Sequence, residues 1–425
     1  MTSSTTRRVV IGTLGNSIAP LAALLTMPIM AHALGASGRG TVAASVAPLL
    51  LTTTLASFGI PIAVTFFVAR SPTLAHRVLR PATAYTCLFG ALASGSLVAG
   101  AGLLSAGSHE LRTLMCCSAL AIVPSMCTAL LSAVAGGLHH WGTVATERLI
   151  VNGLKLAAIS VLAGMDKLSV GSCVAVLAIT PLVGAVVYVP GLVQRARSAP
   201  ATSATPAVDH RALLSYGGRV WLGTLSGVVL SRIDQVLMAP LAGTTELGLY
   251  VVAVSLSEVP LIVNSAIREV MFVSDSAGTD GASLTRAGRV STLATVVSAI
   301  AVASIASWAV PTLFGAGFTS SLPACFILLA GVVIGNPGSI AGVGLSARGR
   351  PGLKSMSLAA ACVVNIGALL ALVGPFGAIG AAVATVLGNV VSGGLNLALL
   401  QRTGSVPARD FFGVRSGDLR LLRRP

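Results

Sequence analysis

Twelve apolar runs of about 20 residues or more dominate this chain of 425 residues. A helix of about 20 apolar residues is long enough to cross the hydrocarbon core of a bilayer. In that core each backbone N–H and C=O needs a partner within the protein, and an α-helix provides one internally. The pattern therefore predicts an all-α polytopic membrane protein with about 12 transmembrane helices. The predicted spans are 9–33, 42–68, 82–106, 112–136, 147–165, 169–193, 214–239, 247–272, 289–313, 320–341, 354–374 and 378–400.

The composition agrees with a surface that faces lipid. Charged residues make up 9% of the chain, whereas roughly a quarter of the residues of a soluble domain are charged. Glycine is abundant, with 47 residues, and small residues allow helices to approach closely in a membrane. A water-soluble fold is therefore excluded.

The loops between the spans alternate in charge, which predicts the orientation of the chain. Loops that follow even-numbered spans are basic, and the opposite loops carry few basic residues, namely Arg39, Arg112 and Lys167. Cytoplasmic loops carry an excess of Lys and Arg, so both termini are predicted to be cytoplasmic. The basic positions are Arg70, Arg77, Arg80, Arg195, Arg197, Arg211, Arg286, Arg289, Arg348, Arg350, Lys354 and several arginines of the C-terminal tail.

A small, polar, proline-containing stretch, Ser198–Ala207, has the composition of a flexible linker. It divides the chain into two groups of six spans, an arrangement typical of secondary transporters with internal repeats. Gly35 and Gly243 follow spans 1 and 7, 208 residues apart, which is a faint sign of such a repeat. The predicted divisions are an N-lobe at 1–197, a linker at 198–212, a C-lobe at 213–402 and a basic cytoplasmic tail at 403–425.

Several classes of function are excluded or disfavoured by the sequence. The net charge of +15 lies in short loops rather than in one basic patch, so nucleic acid is not an expected partner. No phosphate-binding loop is present, and no loop is long enough for a catalytic domain. The 7 cysteines lie in apolar runs without CxxC spacing, so we expect no metal site. We predict a non-enzymatic transporter without a cofactor.

Polar side chains within the spans are the candidate functional residues, because a charge near the bilayer centre costs about 3 kcal/mol on insertion scales. In span 5, Arg148, Asn152 and Lys155 share one helix face. Arg148 is favoured as an interfacial anchor, since it lies near the cytoplasmic edge. Lys155 lies about two turns deeper, where it either lines a cavity or serves as an anchor.

Spans 7 and 8 carry the other charges. Arg219 lies near the cytoplasmic end, whereas Arg232 and Asp234 lie in the outer half of span 7. Glu258 precedes Pro260 near the middle of span 8; it could carry a coupling ion, or it could neutralise Arg232, which is the more favoured reading. Arg268 lies further along span 8.

Taken together the buried charges are more basic than acidic, which suits an anionic substrate such as a pyrophosphate head group. The candidate substrate-binding residues are Lys155, Arg219, Arg232, Arg268, Arg148 and Asn152. The candidate coupling or counter-charge residues are Asp234 and Glu258.

Four regions give the chain a resemblance to the polysaccharide flippases of the multidrug, oligosaccharidyl-lipid and polysaccharide exporter superfamily. They occur in order along nearly the whole chain, although each alone is a weak signal. They are Leu34–Gly40 with Ser57–Pro61, Arg232–Gln235 with Glu246–Tyr250, Gly344–Pro351 with Asn365, and Gly377–Thr385.

The resemblance implies a bacterial plasma-membrane protein that exports or flips an undecaprenyl-pyrophosphate-linked oligosaccharide for envelope polysaccharide. It also implies alternating access between two six-helix lobes, with membrane lipids and the lipid-linked substrate as partners and glycosyltransferases or polymerases as further candidates. Two alternatives stay open. One is a cation-coupled multidrug antiporter of the same superfamily, and the other is a non-transporting scaffold for polysaccharide assembly.

Overall fold

The computed structural model describes residues 3–71, 75–191, 210–262, 264, 281–403 and 406–413. Within these ranges the chain is all-α, with no strand. The eleven α-helices are α1 (Ser3–Ala56), α2 (Ile60–Arg70), α3 (Ala75–Leu104), α4 (His109–Ala119), α5 (Ile122–Gly137), α6 (Trp141–Gly164), α7 (Val170–Ala185), α8 (His210–Ser257), α9 (Gly281–Ala309), α10 (Leu322–Ala347) and α11 (Pro351–Arg402).

The long helix α8 reverses direction at Gly243, whose backbone is not helical, with φ 85° and ψ 173°. A straight helix would place Asp234 and Tyr250 about 24 Å apart, at about 1.5 Å per residue. Their side chains are instead hydrogen-bonded. The two halves of α8 therefore form a hairpin and correspond to two membrane crossings.

Helices α1 and α11 contain the same kind of turn. Gly35 in α1 has φ 65° and ψ −177°, nearly the conformation of Gly243. Gly377 in α11 has φ 53°. Glycine adopts positive φ without the steric cost that a side chain would bring. The matching conformations at Gly35 and Gly243 support the internal repeat that their spacing suggested.

Two predicted spans are interrupted rather than continuous. Span 2 breaks at Phe58 and Gly59, which both have positive φ, before α2 begins at Ile60. Span 4 consists of α4 and α5, which are separated at Leu120–Ala121. The predicted bounds of the spans gave no sign of either break, because hydropathy measures apolar character and does not detect a local change of the backbone.

The described helices account for twelve crossings when each of the three hairpin helices counts as two, α4 and α5 count as one, and α2 counts together with the second half of α1. The prediction of the fold class is confirmed. Eight helical stretches of the described residues are long and apolar enough to span a membrane. Large apolar side chains project outward from them, as at Leu103 and Val363, which are 84% and 73% exposed. Such side chains suit a surface surrounded by lipid.

The chain forms two compact units, Met1–Leu225 and Ser226–Pro425. Their boundary falls within α8, so the first turns of that helix pack with the N-terminal unit. Most of the predicted linker lies outside the described residues, and its last residues, 210–212, already belong to α8. The bounds of the linker and the lobes therefore stay predictions.

Candidate functional site

Helix α6 places its three predicted polar residues in a row. The side-chain amide of Asn152 donates to the backbone oxygen of Arg148 at 2.8 Å. Lys155 Nζ donates to Asn152 Oδ1 at 3.4 Å. Asn152 is buried and Lys155 is half-buried. Asn152 therefore orients the Lys155 ammonium on this helix face, while its own amide is fixed by the backbone.

Arg219 lies on the first half of α8, in the N-terminal unit. Its Nε donates to the backbone oxygen of Ser215 at 3.2 Å, one turn earlier in the same helix. The side chain is exposed. A nearby structural feature is the indole of Trp221, whose Nε1 donates to the backbone oxygen of Leu55 at 3.0 Å, just before the break in span 2.

Asp234 is the centre of a buried hydrogen-bond group in the C-terminal unit. It is 3% exposed. Its Oδ1 accepts from the backbone N–H of Gln235 at 2.7 Å, and its Oδ2 accepts from the Tyr250 hydroxyl at 2.5 Å. The Tyr250 oxygen also lies 2.9 Å from Thr385 Oγ1 on α11. Hydrogen bonds to an ionised carboxylate are stronger than those between neutral groups, so these partners hold Asp234 in place.

Arg232 and Glu258 complete this group of charges. Arg232 is half-buried and Glu258 is exposed at the end of α8. Both interact electrostatically with Asp234, and Arg232 also interacts with Glu258. The charges of Arg232, Asp234 and Glu258 therefore act on one another. Arg268 lies outside the described residues.

Tyr250 and Thr385 were not among the predicted site residues. Both occur in the segments that carry the family resemblance, but that signal does not indicate which residues touch. The hairpin at Gly243 brings Tyr250 onto Asp234, and the packing of α11 brings Thr385. Asp234 and Tyr250 lie at similar sequence separations before and after Gly243. A search for pairs of polar residues placed in this way around a glycine would have found Tyr250.

A second buried polar network was also missed. Asn336 Nδ2 donates to Ser291 Oγ and Thr292 Oγ1, both at 3.0 Å, and its Oδ1 accepts from the amide of Asn264. Ser291 Oγ donates to Asn264 Oδ1 at 2.5 Å. These four residues join spans 8, 9 and 10. The sequence signal that could have revealed this network is an asparagine, such as Asn336, within an otherwise apolar run.

The hairpin turns of α8 and α11 are joined by Glu246. Its Oε2 accepts from the backbone N–H of Ala378 at 2.8 Å, directly after the turn at Gly377. The Glu246 carboxylate therefore lies at the N-terminal end of the second half of α11. Negative charge at a helix N-terminus is stabilising. Among the described residues, no group of three His, Cys, Asp or Glu side chains could hold a metal ion.

This architecture has counterparts among solved structures. The lipid II flippase MurJ, in an inward closed conformation, matches with a TM-score of 0.76 and 14% identity over 97% of this chain and 92% of that chain. An inward-facing multidrug resistance MATE family transporter of the MOP superfamily matches with a TM-score of 0.72 and 13% identity, over 92% of this chain and 98% of that chain. A MOP superfamily transporter from Pyrococcus furiosus matches at 0.64, with 13% identity over 94% of each chain.

The described helices therefore have the fold of these solved membrane transporters. More particularly, residues 5–272 match the polysaccharide biosynthesis protein family, and the chain belongs to that family. No curated protein matches the chain significantly. The resemblance inferred from the sequence motifs is thus confirmed at the level of the family and its fold.

Proposed function

We propose that this protein flips an undecaprenyl-pyrophosphate-linked oligosaccharide across a bacterial plasma membrane by alternating access. Membership of the polysaccharide biosynthesis family supports the substrate class. The observation that carries the proposal is the presence of basic side chains inside spans of both units, namely Lys155 on α6 and Arg232 on α8. A protein keeps a charge at that depth where a cavity or a partner compensates its insertion cost.

Lys155 and Arg232 would bind the pyrophosphate, with Arg148, Asn152, Arg219 and Arg268 as supporting groups. A guanidinium holds phosphate oxygens in a fork, whereas an ammonium acts as a point charge. Asn152 already orients Lys155, which lowers the entropic cost of binding. Asp234 and Glu258 would provide the counter-charge for Arg232, or the site of a coupling ion.

The test uses purified protein in proteoliposomes and a fluorescent polyprenyl-pyrophosphate oligosaccharide, with flipping measured by accessibility to a membrane-impermeant quencher. We expect Lys155→Gln and Arg232→Gln each to lower the flipping rate about 10-fold or more, since charged hydrogen bonds contribute about 1.5–3 kcal/mol. Matched controls are Lys167→Gln, between α6 and α7, and Arg112→Gln, in the first turn of α4; both side chains are exposed. Wild-type rates in both test variants would overturn the cationic site.

The alternative functions are tested in the same preparation and in whole cells. A drug antiporter would lower the accumulation of cationic dyes in cells that express it, and would do so in response to a sodium or proton gradient. A scaffold would show no flipping with any substrate, while still being needed for polysaccharide assembly. Either result, with folded protein, would replace the flippase proposal.

A further inference from the structure

A cavity of about 340 Å³ lies within the C-terminal unit, where α8 and the residues after it face α10 and the two halves of α11. Three of its polar lining residues, Asn389, Ser392 and Asn396, follow one another at spacings of three and four on the second half of α11. Such spacings place side chains on one helix face. At about 1.5 Å per residue the row is about 10 Å long.

Asn396 carries an unused acceptor in this row. The residue is 3% exposed, and its Nδ2 donates to the backbone oxygen of Gly338 at 3.2 Å. That carbonyl partner fixes which end of the amide is the nitrogen. The Asn396 Oδ1 is buried and accepts no hydrogen bond from the described residues. A buried acceptor without a donor is unfavourable, so a donor from a ligand would stabilise the site.

Ser392 and Asn389 also have hydrogen-bonding capacity that the described part of the chain does not use. A helical serine commonly bonds to the carbonyl one turn earlier, as Ser346 and Ser357 do here. Ser392 is 8% exposed, yet its hydroxyl has no hydrogen bond to another described residue. Asn389 is half-buried, and its amide likewise has no partner among the described residues. The row therefore offers a ligand both donors and acceptors.

Another part of the cavity wall is already paired. Asn264 and Asn336 line the cavity and bond to each other and to Ser291 and Thr292, as described above. Such a network is rigid when its members are paired. These amides therefore hold the shape of the wall, whereas the unused groups lie on the row of α11.

The remaining lining indicates the kind of molecule that fits. The row of α11 is neutral, and much of the rest is aliphatic, from Leu230, Leu261, Val332 and Leu358. Lys354 also lines the cavity and already takes part in another interaction. A sugar ring matches the neutral row and the aliphatic wall, because each hydroxyl on its edge both donates and accepts while its faces present C–H groups.

We propose that this cavity binds one neutral sugar ring. One hydroxyl donates to Asn396 Oδ1, neighbouring hydroxyls bond to Ser392 and Asn389, and a C–H face packs on the aliphatic wall. A volume of about 340 Å³ is near the lower end of the roughly 300–1,000 Å³ of small-molecule sites, which suits one ring rather than an oligosaccharide. The inference does not rest on the proposed flippase activity. The ring could belong to a free sugar or to a lipid-linked one.

The test is saturation-transfer NMR with glucose and N-acetylglucosamine on the purified full-length protein in lipid nanodiscs, where no sugar-headed detergent competes. We expect saturable binding of at least one of them with a Kd below about 10 mM. Tetrahydropyran, which has the ring without the hydroxyls, should not displace it at equal concentration. Displacement by a polyprenyl-pyrophosphate sugar would assign the site to a lipid-linked sugar, and failure to displace would assign it to a free one.

Two variants locate the site. Ser392→Ala removes a hydroxyl that has no partner in the described protein, and alanine favours helix, so the fold is kept. We expect it to weaken sugar binding about 3- to 10-fold through one lost hydrogen bond. Gly335→Ala adds a methyl group to the lining, where its Cβ would meet Asn389 Cβ at an ordinary 3.5 Å, and should weaken binding by at least about 3-fold. Ser307→Ala, at an exposed serine of α9, is the control.

Three results would overturn the inference. They are no saturable binding of either sugar, displacement by tetrahydropyran at equal concentration, or wild-type affinity in both Ser392→Ala and Gly335→Ala. Thermal unfolding of each variant establishes that it is folded. Loss of flipping without loss of sugar binding, or the reverse, separates this site from the proposed transport function.

Discussion

The hydroxyl of Tyr250 donates a hydrogen bond to the carboxylate of Asp234 across the hairpin at Gly243. This bond joins the two halves of α8, and Thr385 connects it to α11. Because Asp234 is almost fully buried, a change of its charge acts on the packing of three crossings at once. Arg232 and Glu258 interact with the same carboxylate.

The first prediction concerns Asp234. Asp234→Asn keeps the size of the side chain and removes the negative charge that opposes Arg232. If Asp234 provides the counter-charge or the coupling site, the flipping rate in proteoliposomes should fall about 10-fold or more at normal protein yield. Asp166→Asn is the control, since Asp166 is exposed and has a φ of 54°, which asparagine also tolerates. Equal rates for the two variants would contradict a role for this carboxylate.

The second prediction concerns the close approach of two backbones in the N-terminal unit. A Cβ added at Gly217 would lie 2.8 Å from the backbone oxygen of Phe58, at the break in span 2. We expect Gly217→Ala to destabilise the protein by about 1–3 kcal/mol through overpacking, seen as a lower thermal midpoint in detergent. A Cβ added at Gly227, on the same helix, would contact only Leu358 Cδ1, at 3.7 Å. Gly227→Ala should be neutral or stabilising, because alanine favours helix.

The third prediction concerns the bond between hairpins. Glu246→Ala removes the acceptor for the Ala378 N–H, and we expect a loss of about 1–3 kcal/mol in the free energy of unfolding. Glu246→Gln retains a side-chain oxygen and should restore most of that loss. Glu110→Ala, an exposed residue in the first turn of α4, is the comparison. A thermal midpoint for Glu246→Ala equal to that of Glu110→Ala would show that the bond contributes little.

The fourth prediction concerns the segment after α11, which folds back onto α9. Phe411 is 1% exposed and packs against Gly288, and Arg289 Nη1 donates to the backbone oxygen of Asp410 at 2.7 Å. Phe411→Ala should destabilise the C-terminal unit by about 3 kcal/mol. Its neighbour Phe412 is 56% exposed, so Phe412→Ala should have little effect.

Limited proteolysis of the folded protein measures how accessible the same segment is to cleavage. Phe411→Ala should speed cleavage after residue 402, because the segment would lose its main apolar contact with the bundle. Phe412→Ala should leave the cleavage rate unchanged. If both variants were cleaved like the parent protein, the docking of this segment would not depend on Phe411.

The sequence by itself determined the class of the molecule. The length of the apolar runs predicts membrane helices, because the bilayer thickness and the helix rise fix the number of residues per crossing. The spacing of Gly35 and Gly243 indicated a repeat whose turns are alike in the structure. The family resemblance rested on the order of weak motifs, which is also a property of the sequence alone.

The tertiary structure decided which polar residues meet. Tyr250 is 16 positions from Asp234 and becomes its neighbour through the hairpin. Thr385 is 135 positions from Tyr250 and becomes its neighbour through helix packing. Hydropathy and helical periodicity describe one segment at a time, so they could not place Asn264 with Asn336 or reveal the cavity beside Asn396. They also missed the breaks at Phe58 and Leu120. Breaks of this kind depend on local backbone angles and on close packing, which are settled only when the helices come together.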